Sequence, residues 1–139
     1  MALILCGREA EIPYYYERLD LSVYSLEELG YALGHYLILV PDHFVNPELC
    51  RWLSDALGEK ELGEKLLQLL EMGEKEERLI FRLIRESSYY TEKEVEELSQ
   101  EWRRIHALSE AERREKMGDS FFSLGKYKKA VDAYQDALH

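Results

Sequence analysis

From residue 25 onward, hydrophobic residues recur every three or four positions, which is the spacing of one face of an α-helix. The segment after Asn46 fits this template at every place, with Asn46 as the predicted N-cap and Pro47 at the first helical position. The pattern predicts about seven helices joined by short loops. Apart from the predicted helix 109–124, the apolar positions are, in order, Leu26, Leu29, Leu33 and Leu37; Leu49, Trp52, Leu53, Ala56 and Leu57; Leu62, Leu66, Leu69 and Leu70; Leu79, Ile80, Leu83 and Ile84; Val95, Leu98, Trp102 and Ile105; and Tyr127, Ala130, Val131, Tyr134, Ala137 and Leu138.

Polar residues and glycines mark where these helices begin and end. A Ser or Thr followed three residues later by Glu is typical of a capping box, in which each side chain bonds the other residue's backbone N–H. Such pairs are Ser25 with Glu28, Thr91 with Glu94, and Ser109 with Glu112. Helix ends are predicted near Val40-Pro41-Asp42, at Gly58, at Gly73, near Ser87-Ser88 and at Gly125. Successive helices are then antiparallel neighbours, so the predicted fold class is mainly α, with helical hairpins packed as in a bundle or α-solenoid.

The first 24 residues differ from the rest because they contain the only short β-prone runs, Leu3–Cys6 and Leu21–Tyr24. These runs predict a small two-stranded hairpin. Pro13 disfavours a regular helix between them, and the tyrosines 14–16 that follow it are placed in a loop.

Charge and composition exclude several classes of partner. Eighteen Lys and Arg against 28 Asp and Glu give a net charge of −10, so the basic surface that nucleic-acid binding needs is missing. The longest apolar run, Leu29 to Val40, is well short of the roughly 20 residues of a membrane span and is interpreted as a buried helix. No secretory signal precedes Cys6 or Cys50, so both thiols are expected to be free in a reducing cytoplasm.

Candidate catalytic and metal-binding residues lack the patterns that such chemistry needs. The histidines, His35, His43, His106 and His139, show no paired spacing for a metal, and no glycine-rich phosphate loop is present. We therefore expect no metal, no nucleotide or other cofactor, and no enzymatic activity. The alternative is an enzymatic or regulatory domain in residues 1–104, which would require Cys6, His35 or His43 to lie within hydrogen-bond reach of one another and of an acid.

Two further features concern packing and interaction. Gly30 and Gly34 are four residues apart, a spacing that favours close approach of another helix of the same chain. The tyrosine-rich segments suit protein interfaces because tyrosine combines contact area with a polar tip. The interface candidates are Tyr14, Tyr15, Tyr16, Tyr89 and Tyr90, and the alternative is that they cover the edges of the core.

The segment 117–138 has small and aromatic residues at fixed positions around a glycine turn. They are Gly118, Phe121, Gly125, Tyr127, Ala130, Tyr134 and Ala137. In these positions the segment resembles a tetratricopeptide repeat, a helix-turn-helix of about 34 residues. The resemblance implies that Gly118 and Ala130 face each other where the two helices cross. Arg114 departs from the pattern, which often has a tryptophan there.

The resemblance also implies an organisation and a role. Residues 1–104 would form an N-terminal helical domain, and residues 105–139 a single repeat, the first of more in a longer parent. The opening Ile4–Gly7, with Pro13–Tyr15 and Tyr24–Leu29, resembles the N-terminus of uncharacterised bacterial tetratricopeptide-repeat proteins. The implied function is a scaffold or adaptor that binds a protein or peptide partner.

The groove face of the repeat would consist of Glu112, Glu115, Asp119 and Phe122. Members of this family that clamp a partner's C-terminal carboxylate have a lysine and an asparagine at the positions of Glu115 and Asp119. Because carboxylates at these positions repel a carboxylate, the expected partner segment is basic or apolar.

Overall fold

The computed structural model describes residues 9–125, 133–134 and 136–138, and in this part of the chain it is mainly helical with one β-hairpin. This confirms the predicted fold class. Residues 133, 134, 136 and 137 are also helical. The strands are β1 (Tyr14–Tyr16) and β2 (Leu21–Val23), and the helices are α1 (Leu26–His35), α2 (Pro47–Arg51), α3 (Lys60–Glu71), α4 (Glu76–Glu86), α5 (Glu92–Ala107) and α6 (Glu110–Ser123). Short 3₁₀ turns cover Glu17–Leu19 and Leu37–Leu39, and α2 continues as a π-helical turn over Trp52–Ala56.

The hairpin is present, and its first described strand covers residues for which the sequence predicted a loop. β1 pairs antiparallel with β2, and Tyr14 lies opposite Val23. The three tyrosines assigned to a loop therefore form a strand, because Pro13 precedes β1 rather than interrupting it. The predicted run Leu3–Cys6 lies outside the described residues, whereas the predicted strand beginning at Leu21 is confirmed.

Hydrogen bonds at the helix starts confirm the predicted N-caps. The side chains of Ser25, Asn46, Thr91 and Ser109 each accept a bond from a backbone N–H of the following turn. The capping box at Thr91 is complete, since the Glu94 carboxylate accepts from the Thr91 N–H at 2.9 Å. That bond lowers the pKa of Glu94. In α1 the Glu28 carboxylate instead accepts from the N–H of Tyr24 at 3.3 Å.

The helix ends agree with the prediction except at α1. Gly58, Gly73 and Gly125 have positive φ angles of 76–77°, which suit the ends of helices. α1 ends at His35, whereas the sequence predicted an end near Val40. The apolar run continues past the helix because Leu37 and Leu39 are buried in a 3₁₀ turn that packs against α5 and α6.

The glycines of α1 allow it to pack closely against α4 and the segment that follows, which confirms the predicted intramolecular contact. A Cβ added at Gly30 would lie 2.1 Å from Ser87 Oγ, and one at Gly34 would lie 2.1 Å from the Tyr90 hydroxyl oxygen. Ser87 ends α4 and is 1% exposed, and its hydroxyl donates to the Ile84 carbonyl at 2.6 Å. No side chain other than hydrogen fits at Gly30 unless α1 and α4 separate.

Candidate functional site

The predicted partner-binding residues of α6 lie on one exposed face. Glu112, Glu115, Asp119 and Phe122 are three or four residues apart, which aligns them along the helix, and all are exposed. Phe122 is 57% exposed, which is unusual for a large apolar side chain. The face therefore combines carboxylates with one aromatic ring.

The opposite face of α6 packs against the rest of the chain. Phe121 is 5% exposed, and Met117 packs partly buried against the same core. This face of α6 contacts the 3₁₀ turn Leu37–Leu39. Between the two faces, Arg114 pairs with Glu110 at 2.6 Å. The position at which the repeat pattern often has tryptophan is thus part of a surface ion pair.

The repeat-like segment brings Gly118 against Tyr134. A Cβ added at Gly118 would lie 3.1 Å from the Tyr134 ring, and the Tyr134 hydroxyl donates to the Asp119 carboxylate. This hydrogen bond raises the pKa of Tyr134 and holds the Asp119 side chain in place. Ala137 is half-buried. Tyr127 and Ala130, and hence the expected contact of Gly118 with Ala130, lie outside the described residues.

A cleft of about 1100 Å³ separates β1 from α6, and no sequence motif indicated it. One wall is the segment 12–18, and the other includes Met117 and Phe121. Phe44 and Trp52 lie between the walls. These elements are far apart in sequence, so only the folded chain brings them together.

Long-range hydrogen bonds hold the floor of this cleft. The Glu76 carboxylate accepts from the backbone N–H of His43 at 3.0 Å and of Phe44 at 3.1 Å. His43 has a φ of 60°, so Glu76 stabilises a turn that a non-glycine residue rarely adopts. Trp52 Nε1–H donates to the Ile12 carbonyl at 2.8 Å and so fixes the start of the segment 12–18.

The N-terminal tyrosines differ in their access to solvent. Tyr16 is 2% exposed, so its side chain offers little surface to a partner outside the cleft that it lines. It packs against Phe44 with 4.8 Å between the ring centroids, and its burial raises its pKa. Tyr14 is half-buried against Trp52, and burial likewise raises its pKa. Tyr15 is 54% exposed, and its hydroxyl donates to Asp20 at 2.7 Å. Only Tyr15 has most of its surface available to a partner.

Tyr89 and Tyr90 are both half-buried, and Tyr90 covers Gly34 at the end of α1. The Tyr90 hydroxyl lies 3.1 Å from the carbonyl oxygens of Gly30 and Tyr31, either of which can accept its single proton, and 3.1 Å from His35 Nδ1. Tyr89 packs edge-on against Tyr31 at 5.4 Å. The contacts of Tyr90 therefore match the alternative interpretation, in which a tyrosine covers the edge of the core.

Residues considered for catalysis have other partners. His35 Nδ1 lies 3.1 Å from the Tyr31 carbonyl as well as from Tyr90, and His106 Nδ1 lies 2.9 Å from the Trp102 carbonyl. Over the described ranges, no hydrogen bond joins a histidine ring to a carboxylate. Cys50 is a buried free thiol whose pKa is raised by burial. Cys6 and His139 lie outside the described residues.

Within the described part of the chain, no group of three or more His, Cys, Asp or Glu side chains is arranged to hold a metal ion. Among the same residues, no helix has the length and apolar character needed to cross a membrane. Comparisons of the whole chain with protein-family models, curated proteins and solved structures found no match.

Proposed function

We propose that this chain is a non-catalytic protein-interaction module, a scaffold or adaptor whose C-terminal helical hairpin binds a segment of a partner protein. The hairpin is of the tetratricopeptide type. The observation that supports this function is the exposed face of α6 formed by Glu112, Glu115, Asp119 and Phe122. The opposite side of the helix packs against the chain's own core. The four side chains of the exposed face are open to solvent, where a partner can reach them.

The chemistry of this face selects the partner segment. Its three carboxylates attract basic side chains, and Phe122 offers an apolar contact among them. Asp119 is held by the Tyr134 hydroxyl, so less side-chain freedom is lost when a partner binds. A basic or apolar segment fits this face, whereas a segment recognised through a free terminal carboxylate would be repelled.

The test starts from cross-linking at the face itself. A photoreactive phenylalanine analogue replaces Phe122 in the full chain in cells, and mass spectrometry identifies the cross-linked partner segment. The synthetic segment is then titrated calorimetrically into the wild type and into Glu115→Lys with Asp119→Asn. We expect about tenfold weaker binding to the variant, and weaker binding by the wild type as salt increases.

A matched control changes equivalent charges elsewhere. Glu64→Lys with Glu71→Gln alters two exposed acids of α3, so it repeats the change in net charge without touching α6. Equal weakening by this control would show a nonspecific charge effect. A captured segment that ends in a free C-terminal Glu or Asp and binds independently of salt would contradict the proposal.

A further inference from the structure

The cleft beside the hairpin runs along an unpaired strand edge. Every residue from Ile12 to Arg18 lines it, and no residue of β2 does. Because successive side chains of a strand point to opposite faces, a wall formed by all of β1 and none of β2 is the edge of the hairpin. In the described part of the chain the sheet has two strands, so the cleft-side edge of β1 has no neighbouring strand.

The opposite side and floor of the cleft are aromatic. Phe44, Trp52 and Phe121 all line it, and each is less than a tenth exposed. Phe44 is held by the bond from its N–H to Glu76, and Trp52 by the bond from its indole to the Ile12 carbonyl. At the rim, Ile12 is 70% exposed, which leaves a large apolar side chain in solvent. An unpaired edge beside exposed apolar surface is a site where another extended chain can add.

The charge of the cleft favours a basic occupant. Its described lining carries four carboxylates, those of Glu17, Asp42, Glu48 and Asp136, and a single guanidinium, that of Arg18. The Arg18 guanidinium also donates to the Leu39 carbonyl at 3.4 Å. Basic side chains of an occupant would therefore meet an excess of negative charge at the rim.

We propose that this cleft binds an extended, basic segment of a partner protein, which adds as a third strand to the free edge of β1. Alternate residues of the segment are apolar and pack on the aromatic floor, and the residues between them are basic and face the acidic rim. This surface is separate from the exposed face of α6, so the inference does not rest on the function proposed for that face.

The probe is a synthetic peptide in which Lys and Val alternate, acetyl-KVKVKVKVK-amide, titrated calorimetrically into the full chain. Its composition-matched control, acetyl-VKKVVKKVK-amide, has the same charge with apolar residues at helical spacing. We expect the alternating peptide to bind about tenfold more tightly than the control. Binding should also slow backbone amide exchange in residues 14–16. Equal binding of the two peptides would overturn the proposal.

Methylation of the peptide backbone tests strand addition directly. A strand at an edge donates hydrogen bonds from every second N–H. Of two peptides N-methylated at the odd or at the even positions, one should therefore lose binding and the other should keep it. If both or neither lost binding, the peptide would not lie along β1 as a strand.

Charge reversal identifies the surface that binds. Glu48→Lys with Asp136→Lys changes two exposed acids of the rim and should weaken the alternating peptide about tenfold. Glu64→Lys with Glu71→Lys makes the same change on α3 and should leave the affinity unchanged. Glu115→Lys with Asp119→Asn should also leave it unchanged, which separates this inference from the function proposed for α6. Loss of binding in all three variants would show general attraction to an acidic protein and overturn the proposal.

Peptide titration and sedimentation distinguish two other occupants of the cleft. If removal of residues 1–8 tightened peptide binding tenfold, the chain's own N-terminus would be the competitor. If the unliganded chain sedimented as a dimer and the rim variant as a monomer, a second copy would be the occupant. Either result would overturn the assignment to a partner protein.

Discussion

In the described part of the chain, a tyrosine covers a helical glycine at two places, the α1 crossing with Tyr90 over Gly34 and the α6 crossing with Tyr134 over Gly118, and the two are built very differently. At the end of α1, Tyr90 covers Gly34 so closely that an added Cβ would lie 2.1 Å from its hydroxyl oxygen. On α6, Tyr134 covers Gly118 less tightly, since an added Cβ would lie 3.1 Å from the nearest ring atoms. The Tyr90 hydroxyl bonds to backbone carbonyls of α1, whereas the Tyr134 hydroxyl bonds to the exposed Asp119 side chain.

This difference indicates that the helices pack more rigidly at the α1 crossing than at the α6 crossing. Near Tyr90, the buried Ser87 lies against Gly30, so α1 packs along two successive turns against the end of α4 and the segment that follows it. Within the described residues, the crossing on α6 places one aromatic ring over Gly118 and forms one hydrogen bond to a surface carboxylate. We therefore expect the α1 crossing to tolerate no added atoms, and the α6 crossing to adapt, as the proposed interaction surface requires.

The largest expected effect comes from Gly30→Ala. The new Cβ would meet the buried Ser87 at 2.1 Å from Oγ and 2.4 Å from Cβ, so the two helices must separate. Overpacking of this kind costs up to about 3 kcal/mol, which the better helix propensity of alanine offsets by about 1 kcal/mol. Urea unfolding should show a decrease of about 2 kcal/mol in the free energy of unfolding.

The second partner of this contact provides the control. Ser87→Gly removes both atoms that the new methyl group would meet, so the double variant should recover most of the stability lost in Gly30→Ala. A double-mutant cycle in which the two changes are additive would show that Ser87 is not what excludes a side chain at Gly30.

Local signals in the sequence were enough to predict much of this crossing and of the helices around it. The Gly30 and Gly34 spacing predicts a close helix contact because only glycine lets two backbones approach. The caps at Ser25, Asn46 and Thr91 depend on residues three positions apart, which the sequence displays directly. The α6 face is also local, since helical spacing alone aligns Glu112 with Phe122.

The remaining features depend on partners that are distant in sequence. The end of α1 was predicted too late because an apolar run does not show where helical geometry stops. The strand Tyr14–Tyr16 is stabilised by β2 and by the aromatic rings beneath it. The Glu76 carboxylate reaches His43 and Phe44, more than thirty residues away. The cleft requires all of these contacts at once, so no single motif could indicate it.

A smaller effect is expected from removing each tyrosine hydroxyl. Tyr90→Phe loses hydrogen bonds within the core edge and should lower the free energy of unfolding by about 1 kcal/mol. Tyr134→Phe loses only a bond to an exposed carboxylate and should change stability less. Thermal unfolding of the two variants measures the difference. If Tyr134→Phe lowered the free energy of unfolding more than Tyr90→Phe, the α6 crossing would be the more strongly stabilised of the two, contrary to our expectation.

At alkaline pH, the hydroxyls of Tyr90 and Tyr134 should affect the free energy of unfolding to different extents. Burial raises the pKa of Tyr90 above its ordinary value of 10.0, so the folded state favours the neutral phenol. Stability from this group is then fully present below pH 10.0 and decreases as the pH rises above it. Tyr90→Phe should make this decrease shallower.

Tyr134→Phe is the control for the effect of alkaline pH on stability. The pKa of Tyr134 is also raised, but chiefly by the hydrogen bond to Asp119, whereas burial is the chief cause for Tyr90. Tyr134→Phe should therefore alter the alkaline decrease less than Tyr90→Phe does. The comparison requires urea unfolding at about pH 8 and about pH 11. Identical profiles for the wild type and Tyr90→Phe would show that the Tyr90 phenol ionises equally in both states.

The smallest expected effect is that of Gly118→Ala. Its Cβ would lie 3.1 Å from the Tyr134 ring, which is partly exposed and can move by a few tenths of an ångström. Alanine gains about 1 kcal/mol of helix propensity over glycine, so the free energy of unfolding should change by less than about 1 kcal/mol. Gly118→Leu is the contrasting variant, because its larger side chain must displace the ring. Amide exchange should then accelerate in α6 while α1 and α4 keep their protection. If Gly118→Ala destabilised the chain as much as Gly30→Ala, the two crossings would be equally rigid, and an adaptable interaction surface on α6 would have no structural basis.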